Sequence, residues 1–241
     1  MKRLALILFA AALTASAAPV TSLHVKAVLL EKLRAFQTKA DGLYAFSGDV
    51  LTVGDHSIDL MPVVESEATA QGKNIVAMRI EVAVDGVRQS EATFGAIGIA
   101  ATQEDAVAVG LGEWYLGFGL PFLQAIRGGQ SAMILDDYEV FAGALGLRGG
   151  AALGWVDGTD AMNRKILAAL LPAIAQGGDF VTLELKVMVR STGRPDSESR
   201  VNGLVSPDIA ARLIALDWPQ AADSYMFKQA FVLKKRKPGH S

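Results

Sequence analysis

The chain has no cysteine, only three histidines, and no surplus of either charge: 23 Lys and Arg stand against 25 Asp and Glu in 241 residues. Lack of cysteine excludes a disulfide framework, a thiolate nucleophile and thiolate metal ligands. His24, His56 and His240 are far apart in sequence, so no zinc centre is expected and no metal or cofactor is assigned. His24 opens an amphipathic stretch and His56 sits in a Gly-Asp-His-Ser turn; both read as exposed polar residues rather than members of a catalytic triad. The balanced charge removes the electrostatic case for nucleic acid as a partner. Also missing are a Gly-x-Ser-x-Gly elbow, a phosphate-binding loop and a Gly-x-Gly-x-x-Gly fingerprint. What remains, 51% apolar and 20% charged, is the make-up of an ordinary folded protein of one large domain or two small ones.

The N-terminus carries an address. Lys2 and Arg3 precede the apolar run Leu4–Leu13, and Ala15-Ser16-Ala17 has the small-x-small form that a signal peptidase accepts. A membrane span needs roughly 20 apolar residues, and Thr14 and Ser16 interrupt this run. Residues 1–17 are therefore expected to be a signal peptide, cut between Ala17 and Ala18, and the mature chain to be periplasmic or secreted. Without cysteine near the cut, lipid anchoring is not expected. Cleavage removes two cations, leaving 21 against 25 and a net charge of −4.

The patterning predicts an α+β fold, mainly antiparallel sheet with helices packed on it. Apolar spacing at Val25, Leu29, Leu33 and Phe36 predicts a helix over 22–39 capped by Ser22, stopped at Asp41-Gly42. Short strands follow, with turns at Gly48-Asp49 and Gly54-Asp55; Pro62, in a strand over 57–65, marks an edge or a bulge. Val76, Met78, Ile80, Val82 and Val84 alternate with more polar residues, and Asp85-Gly86 turns this strand into a return over 87–97. Thr102-Gln-Glu-Asp105 caps a helix that should end near Tyr115, broken by Gly117-Phe-Gly-Leu-Pro121, before a short helix over 122–127. Gly110 and Gly112 cost this helix about 1 kcal/mol each against Ala, which close backbone packing would explain. Residues 132–147 read as one long strand, 155–174 as a loop into a helix, and 181–190 as a second alternating strand. A strand near 199–205, a helix started by Ser206-Pro207-Asp208 and a last strand over 225–234 complete the chain.

Val76–Ala106 and Val181–Ala210 share an order of parts: strand, tight turn, returning strand, capped helix. This suggests two related halves, 18–147 and 148–241, either duplicated or alike because hairpin-then-helix is a common arrangement. The first half, through Phe94-Gly-Ala-Ile-Gly98, Thr102-Gln-Glu-Asp-Ala106 and Trp114, resembles a bacterial family of unknown function over residues 23–147. The resemblance implies an α+β fold and carries no activity and no functional residue.

Two sets of residues qualify as site candidates. Trp114, Tyr115, Phe118 and Phe122, in the aromatic-glycine segment, and Trp155 would line an apolar pocket or face a partner; the plainer account puts the segment in the core. Glu113, Asp137, Asp157 and Asp160 are the carboxylates a hydrolase would need, with Trp114 beside Glu113 able to raise its pKa. Caps and solvated charges account for the same residues. In a strand, Asp136 and Asp137 would face opposite ways, while Asp137 and Glu139 would share a face. The basic run Lys234–Lys237 reads as a solvated tail able to touch anionic envelope polymers or lipid headgroups. The function expected is a non-enzymatic binding or accessory module of the bacterial envelope, of inhibitor or immunity type, with an envelope protein as partner. The alternatives are a carboxylate-dependent hydrolase of glycan or peptidoglycan and a carrier of apolar ligands.

Overall fold

Two-residue turns organise the first sheet of the computed structural model, which describes residues 19–89, 94–144, 146–149, 159–174, 179–195, 200–203 and 207–236. The signal segment lies outside the described residues. Strands β1 (Ala45–Ser47), β2 (Val50–Val53), β3 (His56–Ala70), β4 (Lys73–Val84) and β5 (Val87–Arg88) follow one another as antiparallel neighbours. Their turns fall at Gly48-Asp49, Gly54-Asp55, Gln71-Gly72 and Asp85-Gly86. In the last two, both central residues have positive φ, the geometry that matches strand twist in a two-residue hairpin. Three of the four turns were expected. The Gln71-Gly72 turn was not, because the strand leading to it, Ser66–Ala70, is exposed and polar and carries no alternation signal.

Strand β6 (Phe94–Ala100) resumes pairing along the same side of β4 as β5. Pro62 lies where β3 has run past the end of β2, so its missing N–H falls on an unpaired edge, and a bulge follows between Val64 and Ser66. Helix α1 (Ser22–Gln37) covers this edge. Val64 N–H donates to Ser22 Oγ at 3.3 Å, and Glu67 accepts Val20 N–H at 2.9 Å. Ser22 is thus not the cap of α1; Thr21 is, accepting His24 N–H at 3.2 Å.

The expected break at residues 117–121 does not occur. Helix α2 (Gln103–Trp114), started by the Thr102 cap, continues through a π-turn (Tyr115–Gly119) into α3 (Leu120–Arg127). Pro121 has no N–H, and in an α-helix its ring would collide with the carbonyl four residues back. The wider turn relieves that collision: Leu120 N–H bonds to Tyr115 O, five residues back. It also leaves the Leu116 carbonyl without a helical donor, and Ala144 N–H fills the place at 3.0 Å. By length and composition the helix over residues 103–127 is apolar enough to cross a membrane, yet more than half of it is buried inside the protein.

Glycines set how closely this helix approaches its neighbours. A side chain on Gly98 would run into the carbonyl of Ala106, and one on Gly110 would lie 2.9 Å from Gly98 N, so helix and β6 touch backbone to backbone. Likewise Gly143 lies against the Gly117 carbonyl. Gly112 differs: a Cβ there would meet nothing. Close packing therefore accounts for Gly110 and not for Gly112.

The second sheet runs β11 (Arg200–Gly203), β10 (Phe180–Val189), β12 (Tyr225–Lys235), β8 (Tyr138–Ala142), β7 (Met133–Leu135), with β9 (Gly146–Gly149) also on β12. The single long strand expected over 132–147 is instead a hairpin and a further strand. Leu135 pairs with Tyr138, which makes Asp136-Asp137 the turn, with Asp136 at φ +47°. One face of this sheet packs on α4 (Thr159–Ile174) and α5 (Pro207–Ile214), through Ile166, Leu170, Leu213 and the fully buried odd-numbered residues of β10. The other face gives Ala230 and Val232 to the core that holds α1, α2 and α3. The long helix thus lies between the two sheets. Both segments compared in the sequence form a hairpin followed by a helix, but α2 docks on its own hairpin while α5 also lies along α4.

These contacts separate two substitutions in the same helical neighbourhood. Gly98→Ala is expected to cost about 1–3 kcal/mol by overpacking against backbone. Gly112→Ala should gain about 0.5–1 kcal/mol from helix propensity. Urea unfolding of the two variants measures both.

Candidate functional site

The aromatic segment lies in the core. Trp114 is 2% exposed and Phe122 1%, and Tyr115 and Phe118 are also buried. Phe94 of β6 is the hub of the cluster: its ring centroid lies 4.8 Å from Phe118, 5.6 Å from Phe122 and 6.4 Å from Trp114. Tyr115 stacks on Phe36 at 4.8 Å and adjoins Tyr44, whose hydroxyl donates to Leu33 O at 2.8 Å. Burial, then Tyr115, pushes the Tyr44 hydroxyl far above its ordinary pKa, so it stays protonated. None of these four rings is presented to a partner. Trp155 lies outside the described residues.

The carboxylates are dispersed. Glu113 projects from α2 to Lys228 of β12 at 3.2 Å, and Lys228 also meets Glu184 at 3.3 Å. Burial alone would lower the Lys228 pKa, but Glu184 and Glu113 outweigh it and raise it, so the group is a structural cation. Asp137 lies in the hairpin turn, where Asp136, Asp137, Tyr138, Leu171, Pro172 and Lys235 surround a shallow hollow of about 270 Å³. Asp160 stands exposed in the first turn of α4. Leu171 is eleven residues further along the same helix, about 16 Å at the usual rise, so Asp160 and Asp137 do not form a pair. Asp157 lies outside the described residues. Among the described residues no group of three His, Asp or Glu is placed to hold a metal. The hollow at the hairpin is below the usual size of a ligand pocket, about 300–1,000 Å³. The basic run is partly built in: Lys234 and Lys235 belong to β12, and Lys234 Nζ donates to Ala125 O at 2.7 Å.

One cluster has the residue types of a triad. Asp85 Oδ2 lies 2.7 Å from His56 Nδ1, and Asp85 Oδ1 accepts the backbone N–H of Ser57 at 2.8 Å. The Ser57 hydroxyl also meets Asp85 rather than His56, so no base faces the nucleophile, and the cluster ties two hairpin turns together. Hydrogen bonds from His56 and Ser57 hold the Asp85 carboxyl below the ordinary range.

What is open is the outer face of the first sheet. Residues paired across β4 and β6 share a face, and Ile75–Ile99 and Ala77–Ile97 are such pairs. Ile97 is 57% exposed and Ile99 51%, while Ile75 and Ala77 are half-buried beside them. A charged group borders this row. Glu81, 8% exposed, pairs with Arg79 at 3.0 Å and with Arg88, and Arg79 also reaches Glu65 at 3.2 Å. The helices that pack on this sheet, α1, α2 and α3, use its other face. The sequence does show these isoleucines, but Phe94 and Ala96 on the inner face of β6 are equally apolar, so alternation could not tell which side is open.

The described residues thus define an α+β protein with two antiparallel sheets around a buried helix and an apolar strip on an uncovered sheet face. The chain belongs to a family of unknown function, DUF6348, whose sequence model matches residues 56–235. The match begins at the first residue of β3 and ends at the last residue of β12, so it reaches beyond the stretch 23–147 that carries the resemblance and takes in the second half. No curated protein and no solved structure matches the chain.

Two outcomes follow from this geometry. Phe118→Ala should destabilise the protein by about 3–5 kcal/mol, as a large core truncation does, read as a lower urea midpoint. A folded pKa below the unfolded value stabilises above about pH 4 and loses that contribution as pH falls through the folded pKa. Asp85→Asn should therefore lower the melting temperature at pH 7, and the gap to wild type should close on acidification below pH 4.

Proposed function

We propose that this protein is an exported binding module of the cell envelope whose recognition surface is the apolar strip Ile75, Ala77, Ile97 and Ile99. The observation that carries the reading is the pair of half-exposed isoleucines on β6, on a face that neither α1 nor α2 covers. Exposed apolar surface rimmed by charge is the common make-up of a protein-binding patch. Arg79, Glu81, Glu65 and Arg88 provide such a rim, with charges of both signs. Export is supported by the N-terminal run Lys2–Ala17 and its small-residue cut, which give a mature protein starting at Ala18. The dispersed carboxylates and the buried aromatic segment direct the reading toward binding through a surface rather than hydrolysis in a cleft.

The test has two parts. N-terminal sequencing of protein recovered from an exporting host should begin at Ala18; an intact Met1 would remove the export reading. Affinity capture from envelope extract should then retain a stoichiometric protein with wild type and lose it with Ile97→Lys/Ile99→Lys. That variant keeps its circular dichroism spectrum because both side chains face solvent. Equal capture by the double variant, or none by wild type, would overturn this choice of surface.

A further inference from the structure

Strand β6 has the sequence Phe-Gly-Ala-Ile-Gly-Ile-Ala over residues 94–100, and among the described residues it pairs with β4 alone. Its second edge therefore presents backbone N–H and C=O groups without a strand partner. Natural proteins guard such edges with lysine, proline, a charge pointing inward, or a covering helix or loop. β6 has no charged residue and no proline. The other long edge in this sheet, on β3, is covered by Ser22 and by Val20 bonded to Glu67. The contrast lies within one sheet: one edge is closed, and among the described residues nothing guards the other.

The layer beside β6 is apolar on the same side. α2 meets β6 at the Gly98–Gly110 contact and carries Val107 and Leu111 into the core shared with α1. At about 100° per residue, Val109 and Leu116 lie on the opposite flank from Val107 and Leu111, and they are 44% and 53% exposed. Val109 is one residue from the Gly98 contact, so it stands level with the middle of the strand.

We infer that a second copy of this chain pairs with β6, antiparallel and two-fold symmetric, joining two six-stranded sheets into one and bringing the two α2 flanks together. The proposal goes beyond the recognition surface above, because it rests on a strand edge and a helix flank rather than on the sheet face. Two features favour a copy of the same chain. A two-fold axis at Ile97 sets each Ile99 beside a Gly95 and each Phe94 beside an Ala100, large against small along the strand. A strand pair alone is too narrow for the ~800 Å² per partner of a standard stable interface, and the adjoining Val109–Leu116 flank widens it.

Sedimentation of the protein as purified from an exporting host tests the proposal, with hydrogen exchange followed across a dilution series. The expected result is a species of twice the chain mass at high concentration, whose β6 amides are protected and lose that protection on dilution. Val109→Lys/Leu116→Lys should sediment as a monomer with an unchanged circular dichroism spectrum, because both residues are exposed and symmetry would oppose lysine to lysine. A wild-type monomer at every concentration would overturn the proposal. So would a dimer that survives the double substitution while β6 amides exchange freely, because such a dimer uses another face. A partner of different sequence on this edge would show as β6 protection only when envelope extract is added, and that too would overturn pairing between copies. Ile97 lies on this two-fold axis, so Val109→Lys/Leu116→Lys, which leaves the isoleucine strip intact, separates the two proposals: it should lose the dimer and still capture the envelope protein.

Discussion

The structure depends on close backbone contact between one long helix and the strands around it. Gly98 against Gly110 brings the helix down onto the first sheet, and Gly117 against Gly143 seats it against the strands of the second. Side chains at these positions would hold the layers apart and open gaps around the Phe94 cluster, where dispersion contacts fall off within an ångström of separation. The π-turn belongs to the same constraint. Pro121 forces the helix to widen, the widening frees the Leu116 carbonyl, and Ala144, next to Gly143, supplies its donor. A local irregularity thus becomes a joint between helix and sheet. Backbone hydrogen bonding satisfies what proline leaves unmet.

With the helix committed to both sheets, the aromatic residues have to lie inside. Trp114, Tyr115, Phe118 and Phe122 span the π-turn and converge on Phe94 and Phe36. The polar groups are pushed to the margins, where they bind elements together. Lys228 joins Glu113 of the helix to Glu184 of the second sheet, Asp85 joins two hairpin turns, and Arg34 ties α1 to the β1–β2 turn through Asp49 at 2.6 Å. Glu113 and Asp85 are therefore held in structural contacts at separate places. Apolar surface, by contrast, is left uncovered at one side of the first sheet.

Much of the fold was legible because its signals are local. Turns at Gly48, Gly54 and Asp85-Gly86 need only a residue that tolerates positive φ between two alternating runs. β4 and β10 announce themselves by alternation, and the α2 start by Thr102 and Asp105. The failures have a common cause, which is that tertiary partners decided them. Asp136-Asp137 reads as strand because two aspartates carry a weaker turn signal than Asp-Gly. Gly117–Pro121 reads as a break because the carbonyl acceptor that Ala144 satisfies cannot be seen in the local sequence. Ser22 looked like a cap because the strand edge it serves is forty-two residues away. Of the candidate sites, the aromatic segment was recognised as distinctive and its burial was one of the two readings. The open face was missed because β6 is apolar on both sides, leaving no polar side to mark solvent.

The span matched by the family narrows where shared function can reside. It includes β3 to β6 of the first sheet, the second sheet, the bridging helix, the Ile97–Ile99 strip and the β6 edge, and it leaves out α1, β1 and β2. Those three elements shield the far side of the first sheet: α1 packs against β3, and β1 and β2 extend the sheet on that side. They leave the β6 side untouched. Among the described residues the fold closes one margin with added elements and keeps the other apolar and unguarded, an asymmetry that stability alone does not require, since an uncovered edge is a hazard for aggregation. That asymmetry is explained if the β6 side is kept for contact with another chain. On this account the glycines of β6 serve twice: Gly98 lets the helix approach the strand from inside, and Gly95 leaves room beside it for a large residue arriving from outside.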